Sequence, residues 1–187
     1  MRLFTALYFL LMIVTLPARA DAPDDLGPAV GTNIAALIKA PDQNGKPRAF
    51  ADLVGEKGAV VVFFRSAKWC PYCQLQLIDL NLHAETMAAD MGYNLVGVSY
   101  DTEDNLATFT KKWQVNYPLL SDEGSKIINE MGILNDEFRP GHYAYGVPHP
   151  LIAITDKSGN IRAKLHEKAY RDRPQIEAIF EAIKGLN

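Results

Sequence analysis

Ala59-Val60-Val61-Val62-Phe63-Phe64-Arg65-Ser66-Ala67-Lys68-Trp69-Cys70-Pro71-Tyr72-Cys73 is the stretch from which the rest of the chain can be read. Its first six residues are continuously apolar, β-branched or aromatic. Such a run suits a strand buried on both faces, in the middle of an α/β sheet. After Cys73 the period changes. Leu75, Ile78 and Leu82 fall at i, i+3 and i+7, which predicts a helix from about Cys70 toward Met91, stopped by Gly92. A strand running into a helix, with a Cys-x-x-Cys pair at the junction, is the organising feature.

Outward from this junction, Asn94 to Tyr100 reads as the next buried strand. Thr102 can cap a helix carrying Leu106, Phe109 and Trp113 on one face, with Glu103 and Asp104 near its positive end. Ser121 can cap another helix over about Asp122 to Met131. Leu151–Thr155 and Ile161–Leu165, joined by Asp156-Lys157-Ser158-Gly159-Asn160, read as a β-hairpin. The last helix puts Ile176, Ile179, Phe180 and Ile183 on one stripe, with Pro174 early and Gly185 past its end. Upstream, Ala36-Leu37-Ile38 can start a strand, residues 41–46 have turn chemistry, and Phe50-Ala51-Asp52-Leu53 can form one helical turn. The order β-α-β-α-(α)-β-β-α implies an α/β fold, a mixed central sheet flanked by helices on both faces.

The N-terminus has a different character. Met1-Arg2 precedes an apolar run from Leu3 to Leu16, then Pro17 and Ala18-Arg19-Ala20. This is the layout of a secretory signal peptide over residues 1–20, cleaved after Ala20, and the protein is expected to be exported, with the periplasm as its compartment. The apolar run is shorter than the roughly 18–20 residues of a membrane span, and an uncleaved anchor is the alternative. Residues 21–35 read as an extended leader and 36–187 as the folded domain. Cleavage leaves 167 residues (187 less 20), enough for one domain with its own core. It also leaves 17 basic residues (19 less Arg2 and Arg19) against 22 acidic ones. A mildly acidic domain without basic clusters is not built for nucleic acid, and after signal removal no membrane span is expected.

Cys70 and Cys73 are the only cysteines. A disulfide closing so short a loop is worth only about 2 kcal/mol in the loop-entropy model, so structural bracing explains the pair poorly. Redox chemistry explains it better. Unsatisfied N–H groups and the dipole at the start of the helix favour a Cys70 thiolate, which attacks a substrate disulfide or another electrophilic sulfur or oxygen. Pro71 fits the first helical turn, where its missing N–H is not needed. Cys73, almost one turn on, can attack the Cys70 mixed disulfide and release the substrate. Trp69 would shield the pair. A non-catalytic alternative is a copper chaperone-like site, with zinc or copper held by Cys70, Cys73 and His149; no cofactor is otherwise expected. Gly146-Val147-Pro148-His149-Pro150 is a second point of interest, although a proline ahead of a strand can simply start it.

These stretches resemble the redoxin branch of the thioredoxin superfamily. That branch includes the alkyl hydroperoxide reductase/thiol-specific antioxidant proteins and the exported thioredoxin-like reductases. The resemblance rests on Gly45-Lys46 with Phe50–Leu53, Val60–Cys73, Val96–Asp101, Tyr117–Asp122 and Pro150–Gly159. It implies a thioredoxin-like fold, with Cys70 and Cys73 as the redox pair and Trp69, Pro71, Tyr72, His149 and Pro150 supporting it. It also implies a cis-proline facing the cysteines: Pro150, with Pro148 as second choice. Counterparts would be a protein or small-molecule disulfide or hydroperoxide and an external thiol electron donor.

One departure bears on the activity. Peroxide-reducing members carry Pro-x-x-x-Thr-x-x-Cys, and here those positions hold Phe63 and Ala67. Thiol–disulfide exchange is therefore the leading expectation, with peroxiredoxin-type thiol peroxidase activity as the alternative. Arg65, Lys68, Arg139 and Arg162 are candidate anion-stabilising groups. The long aromatic- and glycine-rich segment Gly132–Val147 is either a specificity loop beside the cysteines or a packed surface loop.

Overall fold

The computed structural model describes residues 25–169 and 171–186. The proposed signal peptide at 1–20 and the first residues of the leader lie outside them. Among the described residues no helix is long and apolar enough to cross a membrane.

The apolar run becomes β3 (Gly58–Phe63), every residue of which is buried. It is the middle strand of a five-stranded sheet that also contains β4 (Tyr93–Ser99), β5 (Leu119–Ser121), β6 (Leu151–Asp156) and β7 (Ile161–Leu165), in the order β5-β4-β3-β6-β7. β3 pairs in parallel with β4 and antiparallel with β6, so the sheet is mixed. A small antiparallel pair, β1 (Lys39–Pro41) and β2 (Pro47–Ala49), precedes it. Ala36-Leu37-Ile38 is therefore not the strand: residues 35–37 turn, and pairing starts at Lys39. The helices are α1 (Pro71–Thr86), α2 (Glu103–Trp113), α3 (Lys126–Glu130) and α4 (Ile176–Lys184). This is the expected thioredoxin-like α/β architecture.

Strand alternation separates two cores. Val60, Val62 and Phe64 face a cluster with Cys70, Cys73, Leu77 and Leu80 of the α1 region, Leu106 and Phe109 of α2, and Ile176, Ile179 and Ile183 of α4. Ala59, Val61 and Phe63 face the other, with Leu26, Ile34, Ile38, Phe50, Ile127 and Ile128. The leader residues 25–35 thus contribute to a core. Gly31 N–H donates to Ile161 O, and Ile34 N–H to Gly159 O, which stitches the segment along the β6–β7 hairpin.

Two expectations fail for local reasons. α1 does not bury the 75/78/82 stripe: Leu75 and Leu82 are 67% and 74% exposed. Its inward face is Cys73, Leu77, Leu80 and Ala84, at i, i+4, i+7 and i+11. Leucine or isoleucine occupies several sides of this helix, so periodicity alone does not choose the face; the position of Cys73 against the sheet does. Ser121 is not a helix cap either. It closes β5, where its Oγ donates to Asp101 O at 2.7 Å. The Asp122 carboxylate instead accepts from Ile127 N–H and Ile128 N–H (3.0 and 2.9 Å), and α3 is only five residues long. Elsewhere the capping chemistry holds: Thr102 Oγ1 accepts from Asn105 N–H. Gly92 ends α1 after a wider turn over Met87–Met91, in the left-handed conformation at φ 79° that glycine adopts without strain.

Candidate active site

Phe64 continues the β3 ladder by donating its N–H to Val98 O, and the chain then turns through residues 65–70 into α1. A buried carboxylate shapes this turn. Asp101, just past β4, accepts from Ser66 Oγ (2.8 Å), Ala67 N–H (2.6 Å) and Ser99 Oγ (3.2 Å). Burial pushes the Asp101 carboxyl above its usual range, and these hydrogen bonds partly oppose that shift. Ser66 Oγ also accepts from the Lys68 and Trp69 N–H groups, which makes a compact local turn. From the first turn of α1, Gln74 Nε2 reaches back to Ala67 O at 2.7 Å.

Cys70 is the N-cap of α1 and Pro71 its first residue. Cys70 and Cys73 are joined by a disulfide, with Cα atoms 5.3 Å apart, and both are buried. Cys73 N–H points at Cys70 Sγ (3.3 Å), so a backbone amide of the first turn is aimed at that sulfur. The two sulfurs share one side of the helix start, as the spacing requires.

A further group at the pair is Arg173, which sequence reading missed. Its Nη2 lies 3.3 Å from Cys73 Sγ and 3.9 Å from Cys70 Sγ. Arg173 belongs to the segment 171–175 between β7 and α4, a hundred residues beyond Cys73. Only the neighbouring Pro174 and the apolar stripe of α4 signalled that this segment would return to the first core. Arg65 is buried and holds its guanidinium over the Trp69 and Phe138 rings, at 5.2 and 5.3 Å. Arg162 is paired at 3.9 Å with Asp156, at the opposite end of β6. Lys68 and Arg139 are exposed.

Trp69 is half-buried beside the pair. Its Nε1–H donates to Tyr100 Oη, and Tyr100 Oη donates to Tyr143 O, both at 2.8 Å. Trp69 and Tyr143 meet edge to face, 5.1 Å between ring centres. The Gly132–Val147 segment is thus packed onto the tryptophan next to the cysteines, with Tyr143 and Tyr145 projecting into solvent. Tyr72 is half-buried and Pro71 exposed. With Gln76, Asp79, Arg173 and Pro174, Tyr72 lines a cleft of about 520 Å³ between α1 and the 171–175 segment.

The second predicted site is corrected in two respects. No peptide bond among the described residues is cis, so neither Pro150 nor Pro148 is the cis-proline expected. The backbone before β6 is held extended: Pro148 bridges Leu134, and His149 N–H donates to Ile133 O at 2.7 Å. Pro150 then leads straight into Leu151, paired with Phe63, and acts as a strand-starting proline. His149 itself is half-buried. Burial depresses its imidazole pKa, against the pull of Glu137 and Asp136 nearby. The metal alternative loses its third ligand: among the described residues no three His, Cys, Asp or Glu side chains are grouped as a metal site requires.

Comparison with known proteins agrees with this architecture. The chain is 28% identical over 147 residues to chloroplastic peroxiredoxin Q of Sedum lineare, covering 78% of this chain and 73% of that protein. It is 26% identical over 136 residues to peroxiredoxin Bcp of Escherichia coli K12, covering 73% and 85%. Among solved structures, peroxidoxin BcpB of Mycobacterium tuberculosis superposes with a TM-score of 0.68 at 21% identity, covering 87% of this chain and 97% of that one. Peroxiredoxin 6 of Arenicola marina does so with a TM-score of 0.72 at 15% identity, covering 86% and 74%. The AhpC/TSA family model matches residues 31–164, from the stitched N-terminal segment to the end of the β6–β7 hairpin, and this chain belongs to the AhpC/TSA family.

Proposed function

We propose that this protein is a two-cysteine thiol oxidoreductase that exchanges disulfides through the Cys70–Cys73 couple. The observation that carries this reading is the bonding of the two sulfurs across the first turn of α1, with an amide aimed at Cys70. In the reduced protein the Cys70 thiolate attacks one sulfur of a substrate disulfide. Cys73 then attacks Cys70, and the substrate leaves as a thiolate carrying the electron pair. An external thiol donor restores the dithiol. The composition of residues 1–20 supports an exported, periplasmic setting for this cycle.

Family membership and the peroxiredoxin relatives favour a second reading, reduction of a hydroperoxide. Cys70 would then be oxidised to a sulfenic acid, and Cys73 would condense with it to give the same disulfide and water. Against it stand Phe63 and Ala67, at the positions where the peroxide-reducing pattern has Pro and Thr. Ala67 offers only a methyl group there, and its N–H is already committed to Asp101.

The two readings separate in one set of assays on the full chain. Insulin-type disulfide reduction is expected to disappear in Cys70→Ser, while Cys73→Ser accumulates mixed disulfides. Hydroperoxide consumption no faster than that of a simple thiol would remove the peroxidase reading. No exchange with any dithiol, together with Cys70-dependent peroxide turnover, would make peroxide reduction the activity instead.

A further inference from the structure

We propose that Arg173 is the catalytic group that makes Cys73 an effective nucleophile and leaving group, so that the two sulfurs are activated by different parts of the chain. The inference rests on the Cys70–Cys73 couple being the working centre.

The two thiols need different help. Cys70 sits at the N-cap, where the amides of the first turn and the positive end of the helix are available, and Cys73 N–H is aimed at its sulfur. Cys73 lies further into the helix, where that field is weaker, and its exposure is 0%. Full burial disfavours a thiolate and, unopposed, would leave Cys73 as an inert thiol. The nearby buried carboxylate, Asp101, is committed to Ser66, Ala67 and Ser99. Two polar groups reach the sulfurs: the Cys73 N–H, which serves Cys70, and the Arg173 guanidinium, which is nearer Cys73. A guanidinium stays protonated throughout the working pH range, so it stabilises the anion without acting as a base.

The chemistry balances in both directions. During resolution Cys73 gives its proton to solvent and its thiolate attacks Cys70 Sγ. The Cys73–Cys70 bond forms, the Cys70–substrate S–S bond breaks, and the electron pair departs on the substrate sulfur, which takes up a proton. In reverse, an incoming thiolate attacks Cys70 and Cys73 leaves as the same anion. Arg173 therefore assists whichever direction the cell uses, and equally the condensation of Cys73 with an oxidised Cys70.

The test titrates Cys73 in the full-length Cys70→Ser protein by its ultraviolet thiolate absorbance, with Arg173 intact or replaced by Met or Lys. Arg173→Met is expected to raise the Cys73 pKa by about one unit, a tenfold loss of thiolate near neutrality. With both cysteines present and the pH above the Cys73 pKa of both proteins, its equilibrium with glutathione should move about tenfold toward the disulfide, a couple about 30 mV more reducing. Resolution of a mixed disulfide should slow by about threefold, because a more basic sulfur is also a better nucleophile and offsets part of the loss. Arg173→Lys, which keeps the charge, should recover most of each change, and Arg173→Gln takes the place of the Met variant if that one does not fold. A Cys73 pKa and a glutathione equilibrium unchanged within about twofold in a folded Met variant, or a Lys variant behaving like Met, would overturn the proposal. Cys73 titrates whether or not the wild-type protein exchanges disulfides, so failure of the proposed activity and failure of the Arg173 role are read separately.

Discussion

Residues 64–74 and residues 171–175 both reach the Cys70–Cys73 pair, yet they are held in place differently. The first region is assembled from short-range chemistry: a strand end, a serine turn, an N-cap cysteine and a first-turn proline. It is locked by one buried carboxylate from the end of the neighbouring strand. The second has local hydrogen bonds of its own, Asp172 N–H to Ala169 O and Gln175 Nε2 to Arg173 O, but no buried carboxylate is seen gathering them. The Ile176–Ile179–Ile183 face of α4, just beyond it, packs into the first core, and the segment delivers Arg173 to the sulfurs. The first region thus presents Cys70 at the helix N-cap, while the second presents the cation. Changes in the first region should register mainly as lost stability, and changes at Arg173 mainly as a displaced redox equilibrium.

Asp101→Ala tests that division most severely. It leaves Ser66 Oγ, Ala67 N–H and Ser99 Oγ without their acceptor in a buried site. The expected loss is about 2–4 kcal/mol of unfolding free energy, measured by denaturant titration of the oxidised protein. A loss no larger than that of Arg173→Met would show that the two regions are not distinguished in this way. Tyr100→Phe is the milder version on the same side. It removes the acceptor for Trp69 Nε1–H and the donor to Tyr143 O, and is expected to lower stability by about 1–2 kcal/mol. Trp69 fluorescence should change in parallel; unchanged emission would mean that the ring is held by Tyr143 and Arg65 alone.

The smallest expected effect concerns the segment before β6. The folded His149 pKa lies below the unfolded value of 6.5, so the native state binds fewer protons there than the unfolded chain. Its contribution to stability is present in full above 6.5 and is lost as pH falls through the depressed folded value. His149→Gln should flatten that part of the pH–stability curve and leave the Cys73 titration in place. A mutant curve that keeps the wild-type slope below pH 6.5 would assign the slope to other groups.

Much of this was readable in advance, and the failures have identifiable causes. β3 was legible because a six-residue apolar run can be nothing but buried. The α1 start was legible because Cys70 and Pro71 fit N-cap and first-turn positions whatever the rest of the molecule does. The inward face of α1 was not, since Leu75, Leu77, Ile78, Leu80 and Leu82 offer apolar side chains in several directions and only the sheet selects Leu77 and Leu80. Ser121 misled because a serine ahead of an acidic residue suits a cap, whereas pairing with Ser99 claimed it for a strand. Pro150 matched its position in the family pattern, but the bridge between Leu134 and Pro148 keeps the chain there extended.

The amino-acid order by itself determined the strand–helix junction, the placing of both sulfurs within one turn, and the amide support for Cys70, because each depends on residues within a few positions of one another. Tertiary structure alone decided that Asp101 would lock the loop and that Arg173 would meet Cys73. Local conformational preferences reach across a turn or two of backbone. Which charge lies beside a buried thiol depends on how distant segments share one apolar core.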